Sequence, residues 1–324
     1  MKQIKTTEAI GMVLAHDHTQ IIKDKFKGVR FPKGHIVKEG DIPILLEMGK
    51  ETIFALELEA GMIHENDAAA ILRDITIGDN LSASEAKEGK IELFAETDGL
   101  FFIDTEKLFR LNMTENVVIS AKQNYLSVKK GDKLAAMRVV PLVIAESAMS
   151  ALQEEIPSPV FSVLAWQELK AAIFVTGSEI STGRIKDTFS PVVLEKLADF
   201  PVETIMLEMV GDQLSDIRDA IVRAHNAGIK LIFCTGGMSV DPDDHTPGAI
   251  RASGAEIVTY GTPVFPGAMY VLAYFEDGTA VMGLPGGVMY AKRSILDEVL
   301  PRVVAGFRIN KADFANMAVG GLLA

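Results

Sequence analysis

From about residue 168 onward, the apolar positions change their period at regular intervals. AAIFVT (171–176) is a continuous apolar run, as a strand buried on both faces requires. Over 188–199 the positions Phe189, Val192, Val193 and Leu197 fall on one helical face. VETIMLEMV (202–210) reads as the next strand, and 213–227 as a helix with Leu214, Ile217, Ile221 and Ala224 in register. KLIFC (230–234) is a third strand. TPGAIRAS (246–253) is a short helix, with Thr246 suited to the N-cap and Pro247 to the first turn. AEIVTY, YVLAYF and TAVMGL are further strands, and 289–300 is a helix. This alternation predicts an α/β domain, a mainly parallel sheet with helices on both faces.

The preceding chain follows another rhythm. Residues 1–78 read as a small mixed α+β module: Ile42, Leu45, Leu46 and Met48 mark a helix ended by Gly49, and TIFALEL alternates like a strand. HENDAAAILRDI is a helix, with Asn66 or Asp67 as its N-cap. Short β-branched and aromatic runs make 79–145 a β-rich module without visible chemistry. A connecting helix and a Pro-containing stretch form a linker over 146–167. The α/β domain then occupies 168–305, and 306–324 is a C-terminal tail.

Composition narrows the function classes. The single cysteine, Cys234, excludes an intrachain disulfide or a CxxC site and reads as a small buried hydrophobe. The six histidines are dispersed and form no HExxH pattern, which argues against a zinc enzyme. A formal charge of −12 disfavours nucleic acid as a partner. No apolar run reaches the roughly 18–20 residues of a membrane span, and the start lacks a secretory apolar core, so a cytoplasmic location is expected.

In such a sheet, ligands bind beyond the carboxyl ends of the strands, so the loops there carry the candidates. After AAIFVT, Gly177 allows a tight turn, Ser178, Ser181 and Thr182 offer hydroxyls, and Arg184 and Lys186 are the nearby cations. This is either a phosphate-binding loop leading to a helix N-terminus or a long polar connection. After KLIFC comes TGGMSVDPDDHTP. Its two glycines let a ligand meet bare backbone, and Thr235 and Ser239 are donors. Asp241, Asp243 and Asp244 could hold Mg2+, or Asp243 or Asp244 could simply cap the next helix. Asp212 precedes a helix and is explained by N-capping. PVFPG (263–267) and PGG (285–287) are two Pro-Gly turns.

In order and spacing, these loops resemble the molybdopterin-binding domain shared by molybdopterin molybdotransferases, molybdopterin adenylyltransferases and the competence-damage-inducible family. Gly177-Ser178-Glu179-Ile180, with Gly183 after it, stands where that family has G-D-E-L and a glycine. Val210-Gly211-Asp212 matches its V-x-D. Thr235, Gly236, Gly237, Ser239, Val240, Asp244 and Thr246 fall in register with the molybdotransferase loop. Pro266-Gly267 matches its Pro-Gly loop, and Leu284-Pro285-Gly286 its L-P-G-N-P. The resemblance covers about 168–305; residues 1–160 do not look like the N-terminal domains of ordinary molybdotransferases.

The resemblance implies a molybdenum cofactor biosynthesis protein that binds molybdopterin or adenylylated molybdopterin and assists molybdate insertion. Alternatives are a non-catalytic carrier or sensor of the cofactor, and a Mg2+-dependent nucleotide hydrolase of the competence-damage type. Asp244 and Asp212 would be catalytic, and Asp244 and Asp241 would hold Mg2+. Gly177, Ser178, Glu179, Thr182, Thr235, Gly236, Gly237, Ser239, Pro266, Gly267, Pro285 and Gly286 would bind the pterin ligand. A homo-oligomer is implied, with a molybdoenzyme or its maturation factor as partner. Four positions depart from the pattern: Ser178 replaces the acid of G-D-E-L, Gly287-Val288 replaces Asn-Pro, Ala268 replaces a lysine, and Asp241 replaces a glycine.

Overall fold

The computed structural model describes residues 2–22, 25–156, 159–177, 187–238 and 245–323. Two compact units divide the chain, Met1–Val163 and Leu164–Ala324.

The first unit contains two cores. In one, the antiparallel strands Lys2–Lys5, Thr52–Leu56 and Val13–Leu14 pack with the helix Asp41–Glu47 around Leu14, Phe31, Leu45 and Ile53. In the other, the helix Glu65–Thr76 lies on strands Lys90–Ala95 and Lys133–Val139, burying Ala68, Leu72 and Ile75 against Ile91, Leu93 and Met137. That helix is capped by His64, whose Nδ1 accepts from the Asn66 amide at 3.1 Å. Neither Asn66 nor Asp67 is the cap: the His64 imidazole takes that place, an acceptor that a pattern of Asn and Asp does not signal. The β-rich stretch also holds a helix, Thr105–Met113, capped by Asp104. Only Leu111 of it is buried, so its apolar periodicity is weak. Residues 146–163 supply the helix Glu146–Glu155 and the start of strand Phe161–Ala165, and their Met149, Leu152, Phe161 and Val163 join the second core.

The second unit is built on six strands: β1 (Leu169–Thr176), β2 (Val202–Val210), β3 (Leu231–Thr235), β4 (Glu256–Tyr260), β5 (Val271–Tyr274) and β6 (Ala280–Leu284). Its helices are α1 (Phe189–Leu197), α2 (Leu214–Asn226), α3 (Thr246–Ala252), α4 (Gly287–Tyr290), α5 (Ile295–Val304) and α6 (Lys311–Asn316). The strand order is β2-β1-β3-β6-β5-β4. The residues of β1 alternate between two cores: Ala171, Ile173 and Val175 face α1 and α5, while Ala172 and Phe174 face α2 and α3. Phe174 and Phe233 are fully buried on opposite faces, each contributing roughly 1.5–3 kcal/mol.

The sheet is mixed. β2, β1, β3 and β6 are parallel, but β5 and β4 are antiparallel to their neighbours. Residues 275–279 join β5 to β6 in a tight turn around Gly278, too short for the crossover that parallel strands need. Residues 311–317 pack against the sheet rather than trailing from it, with Phe314 buried beside Tyr270. Among the described residues, no helix is long and apolar enough to cross a membrane.

The helix expected over 289–300 is displaced. It starts at Ile295, because Ser294 and Asp297 form a reciprocal capping box that fixes its first turn. Replacing Ser294 with Ala should cost about 1 kcal/mol. The cost should show as a lower denaturant midpoint with an unchanged slope.

Candidate functional site

Strand register brings several ends to one edge. Val175, Thr235 and Leu284 are aligned across β1, β3 and β6, and Thr176 pairs with Val210 of β2. The loops that leave this edge begin at Gly177, Gly211, Gly236 and Pro285, and the β4–β5 connection, 261–270, returns to it.

The turn after β3 is held most completely. Thr176 Oγ1 donates to the Thr235 carbonyl at 2.9 Å. Thr246 Oγ1 donates to the Gly236 carbonyl at 2.8 Å, and the Thr246 amide donates to Gly237 at 3.3 Å. Tyr260 Oη donates to the Met238 carbonyl at 3.3 Å. Four consecutive carbonyls, 235–238, thus point at protein donors. A trans peptide sets each N–H opposite the preceding C=O, so the amides of 236, 237 and 238 are turned away from those donors. Gly236 has φ 88°, and a Cβ there would sit 2.5 Å from the Thr176 carbonyl oxygen. Gly237 also lies in the left-handed region, at φ 56°. Only glycine leaves β3 along this path. Below the turn, Met238 fills the space over Gly283, where a Cβ would lie 2.6 Å from its methyl carbon.

Thr235 is fully buried, and its hydroxyl has no hydrogen-bond partner among the described residues. An unmet buried hydroxyl costs free energy unless something arrives to satisfy it. Its neighbour Cys234 is buried among apolar side chains. Burial pushes its thiol up to about 12, so it is neither nucleophile nor ligand at neutral pH.

Two expectations change in detail. Asp212 does not cap α2: the N-cap residue is Gln213, without a side-chain cap. The Asp212 carboxylate accepts from Gln213 Nε2 at 3.3 Å, and its carbonyl meets His245 Nδ1 at 2.9 Å. Thr246 opens α3 rather than capping it, because its hydroxyl is committed to Gly236. His245 occupies the cap position and ties this helix to the Asp212 loop, a link of 33 residues in sequence that no local pattern reveals.

The two Pro-Gly loops meet. The Pro266 carbonyl accepts from the Ile295 amide at 3.1 Å, and Gly267, at φ 126°, lies against the Ile295 side chain. A Cβ on Gly287 would be 3.5 Å from Pro266, whereas Gly286 faces open space. Beside them is a cavity of about 690 Å³ lined by Pro266, Lys292, Arg293, Asp297 and Leu323. Arg293 is paired with Glu298 and Asp297 with Lys196, so Lys292 is its exposed cation without an ion pair among the described residues. Lys292 was missed; the adjacent Lys-Arg before the Ser294 cap was its only signal.

Gly177, with φ 143°, ends β1 as expected. Ser178, Glu179, Thr182, Ser239, Asp241 and Asp244 lie outside the described residues. Among the described residues, no group of three or more His, Cys, Asp or Glu could hold a metal ion. At the opposite edge, a cavity of about 420 Å³ is lined by Gln167, Lys230, Tyr274, Asp277 and Arg308. Its charges are already matched: Lys230 pairs with Asp277 at 2.6 Å and holds that carboxyl far below its usual range, and Arg308 lies over the Tyr274 ring. This edge is closed by its own pairs, while at the β3 edge the Thr235 hydroxyl has no partner among the described residues.

Two substitutions separate these roles. Gly236→Ala should cost about 2 kcal/mol or more through backbone strain and the Thr176 carbonyl. Thr235→Val, which removes only an unpartnered hydroxyl, should melt at or above the parent. Thermal melts of the two variants check both.

Comparison with known proteins follows the same division. Residues 172–305 match the model of a family described as "Probable molybdopterin binding domain", and residues 3–57 match a domain of unknown function, DUF8806. A CinA-like protein of Mycobacterium avium (strain 104) is 33% identical over 90 residues, 28% of this chain and 21% of that protein. The chain thus spans about a fifth of the length of the curated relatives it matches. Solved structures with similarity include the molybdopterin biosynthesis enzyme MoaB of Thermus thermophilus, at 22% identity and TM-score 0.34, covering 43% of this chain and 97% of that one. The protein CinA of Thermoplasma acidophilum is another, at 17% identity and TM-score 0.35, covering 41% and 97%. The α/β unit therefore carries, over residues 172–305, a domain of the probable molybdopterin binding family.

Proposed function

We propose that this protein binds molybdopterin or adenylylated molybdopterin at the β3 edge and assists molybdate insertion during molybdenum cofactor synthesis. The observation that carries this reading is the turn after β3, whose four consecutive carbonyls are engaged by Thr176, Thr246 and Tyr260. Amides turned away from those donors, beside an unsatisfied Thr235 hydroxyl, suit an anionic ligand such as a pterin phosphate. The family match over 172–305 supports the ligand class.

In this reading, the amides of 236–238, Thr235, Ser239 and the loop from Gly177 through Ser178, Glu179 and Thr182 hold phosphate. Pro266, Gly267, Pro285 and Gly286 border the remainder of the ligand. Lys292 supplies the cation that Ala268 does not. Asp244 and Asp212 position the leaving group. Mg2+, if used, is held by Asp241 and Asp244 together with phosphate oxygens; Asp212 is the carboxylate that the described residues offer at these loops. A homo-oligomer accords with Ile205, Leu207 and Met209, which leave an apolar stripe half-exposed along edge strand β2. The first unit would dock a molybdoenzyme or its maturation factor.

A second reading draws on the CinA-like relatives: Mg2+-dependent hydrolysis of a nucleotide in place of pterin chemistry. A non-catalytic carrier draws on the departures at Ser178 and at Gly287-Val288.

The test is calorimetric titration of both pterin forms, with and without Mg2+, on the parent, Thr235→Val and Asp244→Ala. Thr235→Val should weaken binding about tenfold without lowering the melting temperature. Turnover that collapses in Asp244→Ala supports a synthetic enzyme, and binding without turnover supports the carrier. Turnover of nucleotide alone supports the hydrolase. Failure of the parent to bind either pterin contradicts the assignment.

A further inference from the structure

The first unit holds a pocket of about 350 Å³ between the 32–38 turn, the N-terminus of the helix Glu65–Thr76 and the 86–88 turn. Glu65 is the group that needs explaining. It is 2% exposed and lines the pocket, yet its carboxyl has no hydrogen bond or ion pair among the described residues. The two glycines beside it are fitted to it. A Cβ on Gly34 would sit 2.6 Å from Glu65 Oε1, and one on Gly89 3.1 Å from Oε2. Both glycines hold positive φ, 85° and 69°, so the backbone bends around the carboxyl without donating to it.

The neighbours that could have satisfied Glu65 are committed elsewhere. His64 Nε2 donates to the Gly34 carbonyl at 2.6 Å, and its Nδ1 accepts from Asn66. The Glu65 amide donates to Leu142, and Asn66 Oδ1 accepts from Gly89. Three lysines, Lys33, Lys38 and Lys87, line the same pocket, and none forms an ion pair among the described residues. Asp67 and Glu88 also line it and are exposed. Burial raises the Glu65 carboxyl above the usual carboxylate range despite the positive charges of Arg138 and Lys33. A buried, unmatched carboxylate costs several kcal/mol in general, so such a group persists where an occupant offsets it.

The two unmet demands define the occupant. A carboxylate with both oxygens free is matched by two parallel N–H donors on one planar edge. Three unpaired lysines beside a helix N-terminus match an anion. We infer that this pocket binds a small anionic molecule that presents the paired N–H donors of a 2-amino-4-oxopyrimidine ring to Glu65 and its phosphate to the lysines. Guanine nucleotides and pterin phosphates both carry that edge. The site lies within residues 32–88 and stands independently of what binds the α/β unit.

The experiment is calorimetric titration of the full chain with guanosine, inosine and adenosine monophosphates, neopterin monophosphate and phosphoethanolamine. Guanosine or neopterin monophosphate should bind. Inosine monophosphate, which lacks the exocyclic amine, should bind about tenfold more weakly, and adenosine monophosphate more weakly still. Whichever of guanosine and neopterin monophosphate binds more tightly names the source. Glu65→Gln should weaken that binding by about tenfold or more while melting no lower than the parent, since no internal bond is lost. Lys33→Ala and Lys87→Ala should each weaken binding a few-fold in a salt-dependent way. Equal binding of the guanosine and inosine forms, phosphoethanolamine binding as tightly as either, a Glu65→Gln variant unchanged in affinity, or no binding of any probe would each overturn the inference.

Discussion

The α/β unit depends on how the chain leaves its central strand. β3 is buried on both faces and ends at Thr235, directly beside the carbonyl of Thr176 on the neighbouring strand. A side chain at the next position would strike that carbonyl, so the chain exits through Gly236 in a left-handed conformation. The four carbonyls of 235–238 are then each met by Thr176, Thr246 or Tyr260, which come from three different elements. The turn is therefore fixed by the fold around it, and its amides are oriented before any ligand arrives. Such preorganisation reduces the ordering cost of binding.

The remainder of the unit keeps this turn in place. Alternate residues of β1 feed the two cores, so both faces of the strand beside the turn are anchored. Gly283 gives up its side chain to admit Met238, which seats the far end of the turn. The Ser294–Asp297 capping box starts α5 where Ile295 can meet Pro266 and Gly267, so the second pair of loops is placed by a helix boundary. Among the described residues, each unit leaves buried polar groups without a hydrogen bond, among them the Thr235 hydroxyl in one and the Glu65 carboxyl in the other. Each is a polar group that burial penalises and an occupant would relieve.

Much of the α/β unit was legible because its signals are local. β2 runs Val202–Val210, the span that the sequence pattern marks, and the Thr-Gly-Gly turn follows a strand as expected. Strand direction was not legible: AEIVTY and YVLAYF are apolar runs that read alike in parallel and antiparallel sheets, and only the tight turn at 275–279 decides. Caps were misread where a side chain had a stronger distant partner, as with Thr246 and Gly236, or where histidine served, as with His64. Lys292 and the Glu65 pocket were invisible for another reason. Their neighbours are brought together from separated segments, 266 with 292 and 34 with 65 and 89, and no spacing rule links them.

If the turn after β3 is the ligand-binding surface of the α/β unit, its own amides must respond to the ligand. Backbone amide chemical shifts during titration with molybdopterin test this most directly. The largest changes are predicted at the amides of 236, 237 and 238 and at Gly177, with Gln167, Lys230 and Asp277 at the opposite edge unmoved. Shifts concentrated at that opposite edge, with 236–238 unchanged, would contradict it.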